Sequence, residues 1–379
     1  MKRLALCLAL ILSLSGCGLL RKTTYTAVEP HDEDYEVSLD SNVITVSSYL
    51  SLKNALLNMV EDGVKEGEIR AESYRGSLSV DLEQAVEEVT ELSPVGAFAV
   101  EHMTYDYSKI VGYYEIHINT TFRRSVEEIR SVVYVNDLTA LRVTLREAMS
   151  SYEPVLRLRI GDYEPFDLKD EVTKVYMEHP EFALENPEAS MEVYPETGTQ
   201  RILEIRFTYR NKLEELMTWQ EALSQQVEQL SLIYGSSNTD MTNAKRFFNR
   251  LGRDTMLVPD VDQDAESALT NSAYGVLIDN CGTSFGFAQA YALLARSCGM
   301  DCQVISGAKN GVEHYWCLVR IDGEDYFVDP STAIEMQNTD YFLMGNQELS
   351  ENGYLIWNAS ELPVVELPDY LKPIPYEAP

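Results

Sequence analysis

From residue 43 onward the chain switches repeatedly between apolar spacing of about 3.6 residues and simple alternation. Val43 to Val46 predicts a strand, and Leu52, Ala55, Leu56, Met59 and Val60 then fall on one face of a helix stopped at Gly63. Leu213, Leu216, Leu223, Val227 and Leu230 line one side of a helix over 213–233. Phe247, Phe248 and Leu251 form the apolar side of the next, ended by Gly252. Residues 253–270 are polar and lack a period, which predicts a long loop over the following domain. Phe287, Ala290, Tyr291 and Leu294 return to helical spacing up to Gly299, and Cys302, Val304 and Ser306 alternate as a strand. The run His314 to Ile321 predicts another strand, with Tyr326 to Asp329 as its partner across Asp322-Gly323, a strong hairpin signal.

That hairpin carries a geometric expectation. With Asp322 and Gly323 as the two central turn residues, His314 faces Ser331 and Trp316 faces Asp329. His314 and Asp329 then project from one face as diagonal neighbours. A four-residue loop keeps them on that face, and a three-residue loop separates them. A carboxylate beside an imidazole fixes its tautomer, which is the second half of a nucleophile triad.

Two internal matches suggest a duplication. Asp81-Leu82 with Val86, Val89 and Pro94 resembles Asp167-Leu168 with Val172, Val175 and Pro180, 86 residues on. Glu115-Ile116-His117-Ile118 resembles Glu204-Ile205-Arg206-Phe207, 89 residues on. Each copy is expected to combine helices with a few alternating strands in a small α/β sandwich. Chance similarity of amphipathic segments is the alternative.

The N-terminus changes the picture of where the protein works. Lys2 and Arg3 precede the eleven-residue apolar run Leu4 to Leu14, shorter than the roughly 20 residues a membrane-spanning helix needs, and Ser15, Gly16 and Cys17 follow. This reads as a signal peptide. Leu14-Ser15-Gly16-Cys17 resembles the bacterial lipobox, which implies a diacylglycerol on Cys17 and cleavage before it. An ordinary signal peptide with an incidental cysteine is the alternative. Residues 21–42 are polar, without apolar periodicity, and are expected to form a flexible tether.

The chain carries 30 basic and 61 acidic residues, a formal charge of −31. Loss of residues 1–16 removes Lys2 and Arg3 and no acid, leaving 28 basic residues and a charge of −33. Such a surface repels nucleic acid and other polyanions and favours a basic partner. Of the six cysteines, Cys7 leaves with the signal and Cys17 takes the lipid. Cys281, Cys298, Cys302 and Cys317 remain, and in an oxidising compartment they can pair in three ways or stay buried as thiols. No motif implies a metal, nucleotide or organic cofactor.

Over residues 213–363 the sequence resembles a transglutaminase-like domain of the papain-like superfamily. The resemblance rests on Ala273-Tyr274-Gly275, Gly286-Phe287-Ala288, His314-x-Trp316 and Val328-Asp329-Pro330, in the family's order and spacing. It implies a nucleophile near a helix N-terminus, His314 as proton acceptor and Asp329 as its orienter. The family's cysteine stands two residues before the motif glycine, and here that place holds Ser284. Three readings follow. Ser284 has replaced the nucleophile and the domain binds without amide chemistry; or Cys281, three residues earlier, acts as a displaced thiol; or Ser284, His314 and Asp329 work as a serine triad. A purely structural role for all of these positions is the remaining alternative. Trp316 could line an acceptor groove, although a strand tryptophan is more often core, and Tyr274 reads at least as well as a helix-packing residue as it does as an oxyanion donor.

The expected molecule is α+β. Its parts are a signal peptide (1–16), a lipidated tether (17–42), two related α/β modules (43–125 and 126–212), a papain-like, transglutaminase-like domain (213–363) and a tail (364–379). It is expected to be exported and lipid-anchored to the cell membrane or outer membrane. There it would bind a protein or peptide segment presenting an amide or amine side chain, with no nucleic acid as partner. An envelope amide hydrolase or cross-linking enzyme is the rival reading.

Overall fold

Helix starts along the chain fall where a short polar side chain takes up the free N–H groups of the first turn. Ser48 and Ser51 cap each other's backbone ahead of the first helix, and Ser125, Asp137, Asp167, Thr239, Thr283 and Asp329 each accept from a backbone N–H of the helix that follows. The structure, a computed structural model, describes residues 43–253, 255–259 and 269–368. Cys17 and the expected signal peptide and tether lie outside the described residues. Among the described residues no helix is long and apolar enough to cross a membrane. The chain is α+β and divides into two units, one of residues 43–90 and 100–123, the other of residues 91–99 and 124 onward.

In the first unit β1 (Ile44–Val46), α1 (Tyr49–Glu61), β2 (Glu66–Glu72), α2 (Leu78–Glu87), β3 (Val100–Ile110) and β4 (Tyr113–Phe122) form a four-stranded sheet with its helices. The strand order is β1-β2-β4-β3, with β1 parallel to β2 and the other pairs antiparallel. Leu52, Ala55, Leu56, Met59 and Val60 of α1 are all buried, as their spacing predicts.

The second unit contains α3 (Pro94–Ala99), α4 (Val126–Arg130), β5 (Val133–Val135), α5 (Leu138–Ser150), β6 (Val155–Ile160), α6 (Leu168–Glu178), β7 (Glu188–Tyr194) and β8 (Arg201–Thr208). Its strands run β5-β6-β8-β7, with β5 parallel to β6 and the others antiparallel. Order and direction thus repeat those of the first sheet. The register does not follow the sequence matches. Ile69 faces both Ile44 and Ile116 in one sheet, and Leu158 faces both Val133 and Leu203 in the other. Ile116 therefore corresponds to Leu203 rather than to Ile205, a two-residue slip that keeps the same face inward. Asp167 caps α6, whereas Asp81 lies inside α2 behind its N-cap Ser77, so that match is one helical turn out.

The rest of this unit holds α7 (Leu213–Tyr234), α8 (Asp240–Leu251), β9 (Met256–Leu257), α9 (Ala273–Leu277), β10 (Cys281–Gly282) and α10 (Ser284–Ser297). Then come β11 (Cys302–Lys309), β12 (Val312–Ile321), β13 (Glu324–Val328), α11 (Pro330–Met336), β14 (Phe342–Met344), α12 (Asn346–Glu351) and β15 (Tyr354–Ile356). An antiparallel sheet of order β14-β13-β12-β11-β15 packs one face on α10, with Cys302, Cys317, Val319 and Ile321 pointing into that core. Its other face carries Ile305, Trp316, Leu318 and Phe327 in a second cluster. One continuous core joins the β5–β8 sheet, α5 and α6 to α7, α8, α10 and the larger sheet. No separate core marks the expected boundary at 212. Tyr176 of α6 shows why: its ring lies 5.5 Å from that of Phe285, and its hydroxyl donates to the Asn271 carbonyl at 3.1 Å.

The hairpin turn takes the two-residue form. Asp322 and Gly323 have φ of 52° and 90°, as a type I′ turn requires, and Ile321 faces Glu324 while Cys317 faces Val328. A second two-residue turn, Asn310-Gly311, joins β11 to β12 and extends β11 beyond Ser306, where the alternation had suggested it ended.

Candidate active site

The hairpin register and the cap of α11 together place His314 beside Asp329. Asp329 follows β13, is 0% exposed, and caps α11 by accepting from the Thr332 N–H at 2.9 Å through Oδ1. The same oxygen accepts from the Ser331 hydroxyl at 2.7 Å. Oδ2 accepts from His314 Nε2 at 2.6 Å and from the Tyr354 hydroxyl at 2.6 Å. Burial by itself would raise the Asp329 carboxyl. The hydrogen bond and charge of His314, with the Thr332 N–H and the Tyr354 hydroxyl, instead hold it well below the usual carboxylate range. An acceptor-only carboxylate on Nε2 assigns the ring proton there and leaves Nδ1 as the basic nitrogen. The ring is further steadied by Trp316, stacked at 6.1 Å, and by Tyr354 at 5.9 Å.

Ser284 is the first residue of α10, after the N-cap Thr283, and is 1% exposed. Its Oγ accepts from the Tyr315 N–H at 3.2 Å, one residue along the strand from His314. The helix start is held against the preceding loop by close backbone approach. A Cβ on Gly286 would stand 2.4 Å from the Thr270 carbonyl oxygen and 3.0 Å from that of Ser272, which explains the glycine two residues after Ser284. Ser284 and His314 line one cavity of about 770 Å³. The aromatic rings of Tyr176, Phe285 and Tyr315 form a row along it, with centroids 5.5 and 4.8 Å apart.

The other expected residues fall elsewhere. Cys281 sits in β10, a strand rather than a helical turn, paired with Met256, and it is not among the residues lining the cavity. Burial and then the charge of Asp279 push its thiol up, away from the thiolate a nucleophile needs. The displaced-thiol reading is therefore corrected: a strand leads the chain into α10, so three residues do not make one helical turn. Cys281, Cys298, Cys302 and Cys317 are all free thiols. Trp316 is fully buried in the second core cluster, and Tyr274 packs its ring 6.1 Å from Trp219.

Three contributors were missed from sequence. Tyr354, Thr332 and Lys309 complete the polar network, with Lys309 Nζ donating to Thr332 Oγ1 at 2.9 Å. Only Lys309 left a signal. Continuing the alternation from Ile305 through Gly307 puts it on the Trp316 face rather than in a solvated turn.

No family model and no curated protein matches the sequence. Among solved structures, the chain is similar to a TGase at 13% identity, covering 59% of this chain and 63% of that one, with a TM-score of 0.28. It is similar to a protein of Cytophaga hutchinsonii assigned as a cysteine protease, at 11% identity over 45% of this chain and 65% of that one, TM-score 0.27. A third, assigned as a protease of Parabacteroides distasonis ATCC 8503, has 10% identity over 70% of this chain and 43% of that one, TM-score 0.23. The chain thus spans less than two thirds of each of these proteins. At such scores the reading of the site rests on its own residues.

Proposed function

We propose that the protein is an exported lipoprotein, anchored through Cys17, whose transglutaminase-like domain binds a protein or peptide segment without performing amide chemistry. The observation that carries this reading is the placement of Ser284. A hydroxyl stands at a helix N-terminus, on the same cavity as an intact His314–Asp329 pair, where a thiolate would be the effective nucleophile. A serine hydroxyl lacks the accessible anion that makes cysteine reactive. The aromatic row and the cavity volume suit a side chain with an apolar stem and a polar amide or amine tip. The two four-stranded sheets of like order support an origin by duplication.

A second reading is favoured by the short His314–Asp329 hydrogen bond of 2.6 Å. With that pair in place, Ser284 would act as the nucleophile of a serine triad. One experiment separates the two. Offered a glutamine-bearing peptide and a primary amine, the native protein is expected to bind the peptide and release no ammonia. Ammonia release that disappears in both Ser284→Ala and His314→Ala would establish the triad instead. Anchoring is tested independently: Cys17→Ala should move the protein from the membrane fraction to the soluble one, and unchanged retention would remove the lipid from the proposal.

A further inference from the structure

β11 ends on a buried cation. Lys309 is 8% exposed, and its Nζ lies 4.8 and 5.4 Å from the ring centroids of Tyr341 and Tyr354. It donates to Thr332 Oγ1 at 2.9 Å, and that hydroxyl oxygen is 3.3 Å from His314 Nε2. Ammonium and imidazole therefore share one hydroxyl and lie within about 6 Å of each other. A buried ammonium is costly unless an opposite charge faces it. Burial pushes the Lys309 amine down, and the charges of Asp329 and Glu335 pull it back up. Glu335 is exposed and screened, so Asp329 is the buried partner.

Counting the buried charges gives the consequence. Lys309 and Asp329 balance each other, so a proton on the ring would add a second positive charge to the network at the cavity wall. A carboxylate alone does the opposite and favours the imidazolium. The remaining groups against the ring are uncharged, Tyr354 on β15, Thr332 on α11 and Trp316 on β12, and the neighbouring Glu313 is exposed.

We propose that Lys309 is the counter-cation of the Asp329 carboxylate that holds His314, a positioning residue whose charge opposes proton uptake by the ring and leaves Nδ1 as its proton acceptor. The inference builds on the site described above, and its readout does not depend on whether Ser284 is reactive. The full chain, labelled with ¹⁵N-histidine and with the His314 signal assigned from His314→Gln, is titrated by NMR. In Lys309→Met the pH at which the ring takes up its proton should rise by about one unit or more, the size expected of a unit charge near 6 Å at an intermediate dielectric. Lys309→Arg, which keeps the charge, should leave that midpoint in place. Should Lys309→Met fail to fold, Lys309→Gln carries the same expectation. An unchanged midpoint in a folded, uncharged variant overturns the proposal, as does an equal rise in Lys309→Arg, which would assign the effect to packing.

Discussion

The two halves of the cavity are built by different means. The hairpin half, His314 and Asp329, is held by four hydrogen bonds to one carboxylate that arrive from β12, α11 and β15. The helix half is held by backbone: Gly286 lets α10 start against the 270–272 loop, and Ser284 receives the Tyr315 N–H. The difference lies in where chemical identity resides. Changing the hairpin half disturbs a buried network, whereas the Ser284 hydroxyl is a single atom on a helix start held mainly by backbone. A site built this way can exchange the atom at position 284 and keep its architecture.

The largest effect is expected from breaking the hairpin half. Asp329→Ala strands the Tyr354 and Ser331 hydroxyls, the His314 N–H and the first turn of α11, and should cost about 3–5 kcal/mol in urea unfolding. The same carboxylate sets a pH dependence. Its folded-state value is depressed, so its contribution is full above the unfolded value near ~3.9 and is lost as pH falls below it. The native protein should therefore lose stability on acidification through that range, and Asp329→Ala should show less of this loss. Equal acid sensitivity of the two proteins would contradict the assignment.

Breaking the helix half by its backbone should cost less. Gly286→Ala drives a methyl against the Thr270 carbonyl oxygen and should destabilise by about 1–3 kcal/mol, measured by thermal or urea unfolding. A neutral outcome would mean that the loop is free to withdraw.

Ser284→Cys sharpens the comparison at the smallest energetic scale, since it changes one atom and should leave unfolding nearly unaltered. At pH 7 its thiol is expected to react with iodoacetamide about tenfold faster than a free cysteine, because a helix N-terminus and an imidazole favour the thiolate. His314→Ala should remove the enhancement. Cys281 of the native protein should show none, consistent with its raised thiol and its position off the cavity wall. Enhanced labelling at Cys281 would reverse the assignment of the two positions.

The contrast between the halves also marks what could be read ahead of the fold. The Asp322-Gly323 turn was legible because two residues with positive φ set the register of everything on either side. Asn310-Gly311 carried the same signal and explains why β11 reaches Lys309. The pattern of the first helix was legible for a like reason, since a one-sided apolar face has one way to be buried. The two internal sequence matches do not follow the pairing: one is offset by two residues from the register of β8 and the other by one turn from the cap of α6. Side-chain spacing constrains the face, and the pairing partner alone sets the register.

By itself the sequence determined the local facts: which segments are helical or extended, and the hairpin that sets His314 beside Asp329. Only the tertiary structure decided that Tyr354 donates to the Asp329 carboxylate and that Lys309 reaches the neighbouring Thr332 hydroxyl, both far apart in sequence. It also placed Cys281 off the cavity wall, and it joined the β5–β8 sheet and the β11–β15 sheet in one core. The physical reason is common to these. Periodicity and turn chemistry act over a few residues. A buried charge finds its partners wherever the packed chain brings a donor, and no local pattern records that.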